Sequence, residues 1–180
     1  MRRGKHLLLC TLVAAVAVGA VWGQDGDSKP WALKVGFYRP DSYAWRSASS
    51  GTPKGVWWWM GLDYRFGQLS EGNECLVTVE HKLASQRLAR MTSLQGIYRH
   101  RLGAYEESEA TWYCGAGVGL YFARVRQAGV WGNATRFGVP LVLGKDFGND
   151  MFGELKYHAV FGKARGIHLG GFSVALGYRF

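Results

Sequence analysis

The last ten residues of the chain, GFSVALGYRF at 171–180, alternate strictly between two kinds of side chain. Every second residue, counted back from the end, is large and apolar or aromatic: Phe180, Tyr178, Leu176, Val174 and Phe172. The residues between them are small or polar. Such a period of two predicts a β-strand with one apolar face.

The same period recurs along the chain, and no helical period follows the N-terminal segment. The composition agrees, because Gly supplies 26 of 180 residues, aromatics supply 14% and Pro only 4 residues, which is typical of β structure. The fold class predicted is all-β, with eight antiparallel strands in one domain, connected up and down. The strands are predicted at 31–38, 56–67, 75–83, 92–102, 111–123, 134–144, 151–161 and 171–180.

The N-terminal segment has the features of a cleaved secretory signal peptide. Arg2, Arg3 and Lys5 precede an uncharged apolar run at 7–18, and small residues follow. The run is shorter than the roughly 20 residues of a spanning helix. Cleavage after Gly23 or Ala20 fits best, so 1–23 is predicted as the signal peptide and 24–180 as the barrel domain.

Charge and cysteine content limit the partners of the exported chain. Of 22 basic residues three leave with the signal peptide, so 19 face 13 acidic residues and the net charge is about +6. An exported basic chain indicates anionic lipid or lipopolysaccharide phosphate as partner, and no nucleic acid. Cys75 and Cys114 are too few for a disulfide scaffold, and the pattern leaves open whether they form one bridge.

The alternate residues predict which face of the barrel points inwards. A closed barrel leaves no free sheet edge, and eight strands enclose a space just wide enough for side chains. The larger apolar set would overfill that space, whereas the small and charged set would fit. The sequence therefore predicts a transmembrane barrel, apolar outside and polar inside.

The predicted lumen carries a network of charges that must pair in a narrow interior. Its members are Asp63, Arg65, Glu80, Lys82, Arg99, Arg136, Glu154, Lys156, His158 and Arg179. Bases outnumber acids in this set, so we expect a net positive lumen. Aromatic residues near strand ends, among them Tyr38 and Trp57, are expected at the membrane–water interfaces.

These features resemble the small bacterial outer-membrane β-barrel superfamily, which includes the transmembrane domain of outer membrane protein A and the outer membrane protein W and X types. YCGAGVGLYF at 113–122 resembles a mid-barrel strand of that family. The resemblance implies that Phe172, Val174, Leu176, Tyr178 and Phe180 form the signal read by the barrel assembly machinery. It also implies a bacterial outer-membrane location with both termini in the periplasm.

Catalytic and cofactor motifs do not fit their required contexts. GAGVG at 115–119 is not followed by a helix, and no His has a Ser two residues later, as in the lipid A deacylases. His and Cys lack zinc spacing, and no cofactor is expected. We therefore expect a monomeric, non-enzymatic barrel with a structural or surface-interaction role. A narrow pore or conduit for small molecules and a lipid-modifying enzyme are the alternatives; Pro140, which removes a ladder donor, favours a conduit.

Overall fold

Eight long strands form one closed antiparallel barrel in the order β1-β10-β7-β6-β5-β4-β3-β2. The computed structural model describes residues 29–41, 55–70, 73–84, 89–103, 111–127, 130–147, 149–164 and 167–180. The barrel strands are β1 (Trp31–Pro40), β2 (Trp57–Ser70), β3 (Asn73–Leu83), β4 (Ala89–Leu102), β5 (Trp112–Gln127), β6 (Val130–Asp146), β7 (Met151–Val160) and β10 (Gly171–Arg179). The predicted eight-stranded up-and-down barrel is confirmed, whereas the predicted signal peptide lies outside the described residues.

A short hairpin lies between the last two barrel strands. It consists of β8 (Lys163–Ala164) and β9 (Ile167–His168), which pair only with each other. Within the described residues no helix has the length and apolar character needed to cross a membrane. We call the end of the barrel that carries this hairpin the distal end, and the opposite end, near Pro30 and Phe180, the terminal end.

The C-terminal strand closes the barrel against the first strand. β10 pairs with β1 from Ala32↔Arg179 to Pro40↔Gly171, and with β7 on its other side. At the terminal end the Phe180 amide donates to the Trp31 carbonyl over 2.9 Å. Both edges of the C-terminal strand are therefore hydrogen-bonded, which removes the free edges that an open sheet would present.

The two faces of the barrel carry the residues that the alternation predicts. In β10 the outward side chains are about half exposed, for example Val174 at 56% and Leu176 at 57%, while Ser173 and Ala175 are buried. The same alternation runs through β1, β3 and β4. A wall of large apolar side chains outside a polar interior is the arrangement of a barrel solvated by lipid.

The lumen is filled by aromatic rings as well as by small residues, which the sequence analysis did not predict. Tyr38 and Trp57, expected at the membrane interfaces, are instead fully buried inside the barrel. Lumen glycines provide the space for other rings. A Cβ at Gly144 would lie 2.1 Å from the Tyr113 ring, and a Cβ at Gly177 would lie 2.2 Å from the Phe152 ring. Glycine on the inner face thus allows an aromatic ring to lie across the neighbouring strand.

Some strands are longer than predicted because the alternation continues beyond the turn-like residues. β5 and β6 pair as far as Gln127↔Val130, so most of the predicted connection at 124–133 belongs to the sheet. Pairing between the same strands is interrupted opposite Pro140, since Ala116↔Leu141 is followed directly by Gly119↔Gly138. The missing proline donor is a sufficient reason for this interruption.

Candidate functional site

The middle of the lumen holds a compact layer of paired charges, which we call the central ionic layer. It contains three lysines and three acids, all with side chains at most 4% exposed: Lys34, Lys82, Lys156, Asp63, Glu80 and Glu154. Lys34 Nζ lies 3.0 Å from Asp63 Oδ1 and 3.1 Å from Glu154 Oε1. The equal numbers of opposite charges make the layer neutral, as burial at this depth requires.

Glu80 is the acid with the most cationic neighbours in the central ionic layer. Lys156 Nζ lies 2.6 Å from Glu80 Oε1, and Lys82 contacts Oε2. Gln95 Nε2 also donates to Oε2 over 3.0 Å, and Ser93 Oγ lies 3.4 Å away. Several charged or polar donors therefore replace the water that this buried carboxylate loses.

A second group of charges, the terminal ionic layer, lies between the central layer and the terminal end. Its members are Glu74, Asp146, Arg65, Arg99, Arg101 and Arg179. Arg99 Nε donates to Glu74 Oε2 over 3.0 Å, and its guanidinium carbon lies 4.4 Å from the Tyr113 ring centroid. Four arginines face two acids here, so the positive excess of the lumen charges lies in this layer.

Apolar and aromatic side chains fill the lumen between the central ionic layer and the distal end. We call this cluster the apolar plug; its barrel residues include Tyr38, Trp57, Trp59, Met91 and Tyr121. The β8–β9 hairpin and its flank add Ala164, Ile167 and Leu169, each at most 3% exposed. The connection between β7 and β10 therefore folds over the distal mouth and contributes to the plug.

Two side chains from the barrel wall hold the hairpin in place. Tyr38 Oη donates to the Leu169 carbonyl over 2.7 Å. Arg136 donates to the Lys163 carbonyl from Nε over 3.1 Å and from Nη2 over 2.6 Å. Gly162, which precedes the hairpin, has φ = 90°, a left-handed conformation that favours glycine. A Cβ at this position would also lie 3.1 Å from Arg136 Cδ.

The structure separates the predicted charge network into three places. The central ionic layer contains Asp63, Glu80, Lys82, Glu154 and Lys156, with His158 beside it. The terminal ionic layer contains Arg65, Arg99 and Arg179. Arg136 belongs to neither layer, because its side chain bonds the hairpin at the distal end.

Sequence reasoning missed four charged members of the two layers: Lys34, Glu74, Arg101 and Asp146. Lys34 and Arg101 have the inward parity of their strands, so strict use of the period of two would have included them. Glu74 and Asp146 lie in segments predicted as connections. They were missed because β3 and β6 extend further than the sequence predicted.

The structure places a serine beside a histidine, although the two residues are not close in the sequence. His158 Nε2 lies 3.1 Å from Ser173 Oγ, and His158 Nδ1 lies 3.1 Å from Tyr121 Oη. A serine beside a histidine can serve as a nucleophile and its base. All three side chains are buried between the apolar plug and the central ionic layer.

The described residues offer no further site for a metal or a disulfide. No group of three or more His, Cys, Asp or Glu side chains in the described ranges could hold a metal ion. Cys75 and Cys114 are both free thiols in the structure. The chemistry of the lumen is therefore that of paired charges and packed rings.

Structural comparison decides the type of barrel. Neisserial surface protein A matches with a TM-score of 0.58 and 13% identity, over 87% of this chain and 100% of that one. The fold is that of the small outer-membrane β-barrels. A second outer-membrane barrel, the N-terminal domain of Pseudomonas aeruginosa OprF, matches with a TM-score of 0.50 and 13% identity, over 86% and 100% of the two chains. No protein-family model matches the chain, and no curated protein matches it in sequence.

Proposed function

We propose that the protein is a monomeric, integral outer-membrane barrel with a closed lumen, which acts structurally or through its surface and catalyses no reaction. The observation that carries this proposal is the continuous filling of the lumen by the apolar plug, the central ionic layer and the terminal ionic layer. The side chains of the central layer are at most 4% exposed. A permeating ion would have to displace packed rings and then break charge pairs that are buried in a narrow interior.

Conductance across a planar bilayer tests the closed lumen. Folding is first verified by heat-modifiability, the shift in gel mobility between boiled and unboiled samples, so that the absence of current cannot reflect unfolded protein. We expect no single-channel current from the native chain. We expect none after Arg136→Gln either, because this change loosens the hairpin and leaves both ionic layers in place. A steady current from the native chain would refute the closed lumen and support the pore alternative.

The non-enzymatic part of the proposal is supported by the burial of the Ser173–His158 pair. Ser173 is 1% exposed and His158 is fully buried, so neither side chain can reach a membrane lipid. Mass spectrometry of lipid A and phospholipids from expressing cells provides the test. We expect the same lipid profile with the native chain, with Ser173→Ala and without the protein. A lipid modification that disappears in Ser173→Ala would establish the enzyme alternative.

The biogenesis and location of the protein are part of the same proposal. A cleaved signal peptide at 1–23 would export the chain, and the outward residues of β10 with Phe180 would be read by the barrel assembly machinery. Both termini would then lie in the periplasm and the hairpin would face the cell exterior. Density-gradient separation of inner and outer membranes, with N-terminal sequencing of the mature protein, tests the export and the location. Recovery in the inner membrane with an intact N-terminus would contradict them.

A further inference from the structure

The segments that connect the strands at the two ends of the barrel differ in charge in the sequence. The distal strand ends and connections, 39–56, 84–90, 124–136 and 161–170, contain Asp41 as their only acid. They contain ten basic residues: Arg39, Arg46, Lys54, Arg87, Arg90, Arg124, Arg126, Arg136, Lys163 and Arg165. Seven of the 13 acids belong instead to the segments that connect strands at the terminal end, 68–74, 103–111 and 145–150: Glu71, Glu74, Glu106, Glu107, Glu109, Asp146 and Asp150.

The connections at the terminal end are acidic by sequence. They contain one basic residue, Lys145, against these seven acids. A single-sign charge at one end attracts oppositely charged partners from solution or from the adjacent membrane surface. The distal end of the barrel is therefore suited to an anionic surface.

Two arginines at the distal end are register partners on neighbouring strands. Arg90 of β4 is paired in register with Arg124 of β5, and both have the outward parity of their strands. Residues directly opposite in an antiparallel pair have Cβ atoms roughly 5 Å apart, and like charges in such a pair destabilise the sheet. Two positive side chains in this register lower the stability of the barrel when no anion lies between them.

No acid among the described residues compensates this pair. In the described part of the chain neither Arg90 nor Arg124 forms an ion pair with a carboxylate, and their outward neighbours in register are Leu83 and Asn133. The nearby connections 84–88 and 128–129 contain no acid either. Arg124 Nε is a buried donor without a hydrogen-bond partner. The guanidinium carbon of Arg124 lies 4.6 Å from the Trp131 ring centroid.

We propose that Arg90 and Arg124 form a clamp for the phosphate group of an anionic lipid in the membrane leaflet at the distal end. This inference rests on the proposed function, which puts the distal end in the outer leaflet and makes the phosphates of lipid A the ligand. Guanidinium groups bind phosphate oxygens in a bidentate manner, so two opposed arginines can surround one phosphate. Trp131 lies beside the clamp as an aromatic residue of the membrane interface.

Binding of purified lipid A to the detergent-folded full chain tests the clamp. The double variant Arg90→Gln/Arg124→Gln removes both donors, and Lys145→Gln is the matched control, because Lys145 Nζ lies 5.4 Å from the Trp112 ring at the terminal end. Native mass spectrometry counts bound lipid at a series of concentrations. We expect the double variant to bind bisphosphorylated lipid A at least tenfold more weakly and Lys145→Gln to bind like the native chain.

The remaining arms identify the ligand and separate this proposal from the one it rests on. We expect dephosphorylated lipid A to bind the native chain as weakly as the double variant binds the intact lipid. We also expect that millimolar inorganic phosphate does not compete with lipid A for the native chain. Full competition by inorganic phosphate would assign the clamp to a free anion and overturn the lipid ligand. Equal lipid binding by the double variant would overturn the clamp, while an unchanged heat-modifiability shift would leave the barrel itself established.

Discussion

Replacing Glu80 by Gln should destabilise the barrel more than almost any other single isosteric change. The substitution keeps the shape of the side chain and removes one of three negative charges from the central ionic layer. Three buried lysines would then face only Asp63 and Glu154. Removing one partner from a buried ion pair costs about 3–5 kcal/mol, because the remaining charge is left without compensation. We expect the free energy of unfolding to fall by that amount.

The double variant Glu80→Gln/Lys82→Met is the matched control for this prediction. Among the described ion pairs Lys82 contacts Glu80 alone, so removing both groups returns the layer to two lysines and two acids. Replacing a buried pair by groups of similar volume is often nearly neutral. We therefore expect the double variant to recover at least about half of the stability that Glu80→Gln loses.

Equilibrium urea unfolding in lipid vesicles measures both effects. The chain contains eight tryptophans, and Trp59 and Trp57 lie in the lumen, so fluorescence reports on the loss of the folded barrel. The linear dependence of the unfolding free energy on denaturant gives the differences between variants. A loss below about 1 kcal/mol for Glu80→Gln would refute the reasoning. So would a double variant whose loss equals the sum of the two single variants.

Three further predictions concern packing, the hairpin and assembly. Gly144→Ala should lower the free energy of unfolding by about 1–3 kcal/mol, because the added methyl group overpacks a lumen ring. Gly96→Ala is the control, since its Cβ would have no neighbour within 4 Å, and it should leave urea unfolding unchanged. Equal losses in the two variants would contradict this packing. Arg136→Gln should speed tryptic cleavage of the folded protein within 161–170 by roughly tenfold, since a hydrogen bond to a charged group contributes about 1.5 kcal/mol or more. Unchanged cleavage would mean that contacts other than those of Arg136 hold the hairpin. Phe180→Ala should lower the amount of folded barrel in the outer-membrane fraction of cells but not refolding into detergent, and equal cellular yield would exclude the assembly signal.

The sequence predicts which charged residues point into the lumen, but not which of them pair. The inward placement of Glu80, Lys82, Glu154 and Lys156 follows from strand parity, which is a local property of the chain. Which acid pairs with which base does not follow, because the partners are far apart in sequence. Lys34 and Glu154 are 120 residues apart and meet only when β1 and β7 are brought to opposite sides of β10.

The apolar plug shows that strand parity outweighs the preference of aromatic residues for the membrane interface. Tyr38 and Trp57 are aromatic residues at strand ends, a position that is typical of the membrane interface. They point inwards because they have lumen parity, and the hairpin at 163–168 covers them from the distal side. The hairpin segment itself contains few apolar residues, so its contribution to the interior depends on contacts with strands elsewhere in the barrel.

The sequence by itself determined the number of barrel strands, the class of barrel and the alternation of inward and outward residues along the predicted strands. These properties depend on the alternation of neighbouring residues along one strand, which is visible without any tertiary contact. The tertiary structure decided the pairing of charges, the closure of the lumen and the opposition of Arg90 to Arg124. Those properties depend on strand register and on barrel closure, which bring distant residues together. If the strands with this alternation paired in another register, the outer apolar wall would be similar, but different side chains would meet in the lumen.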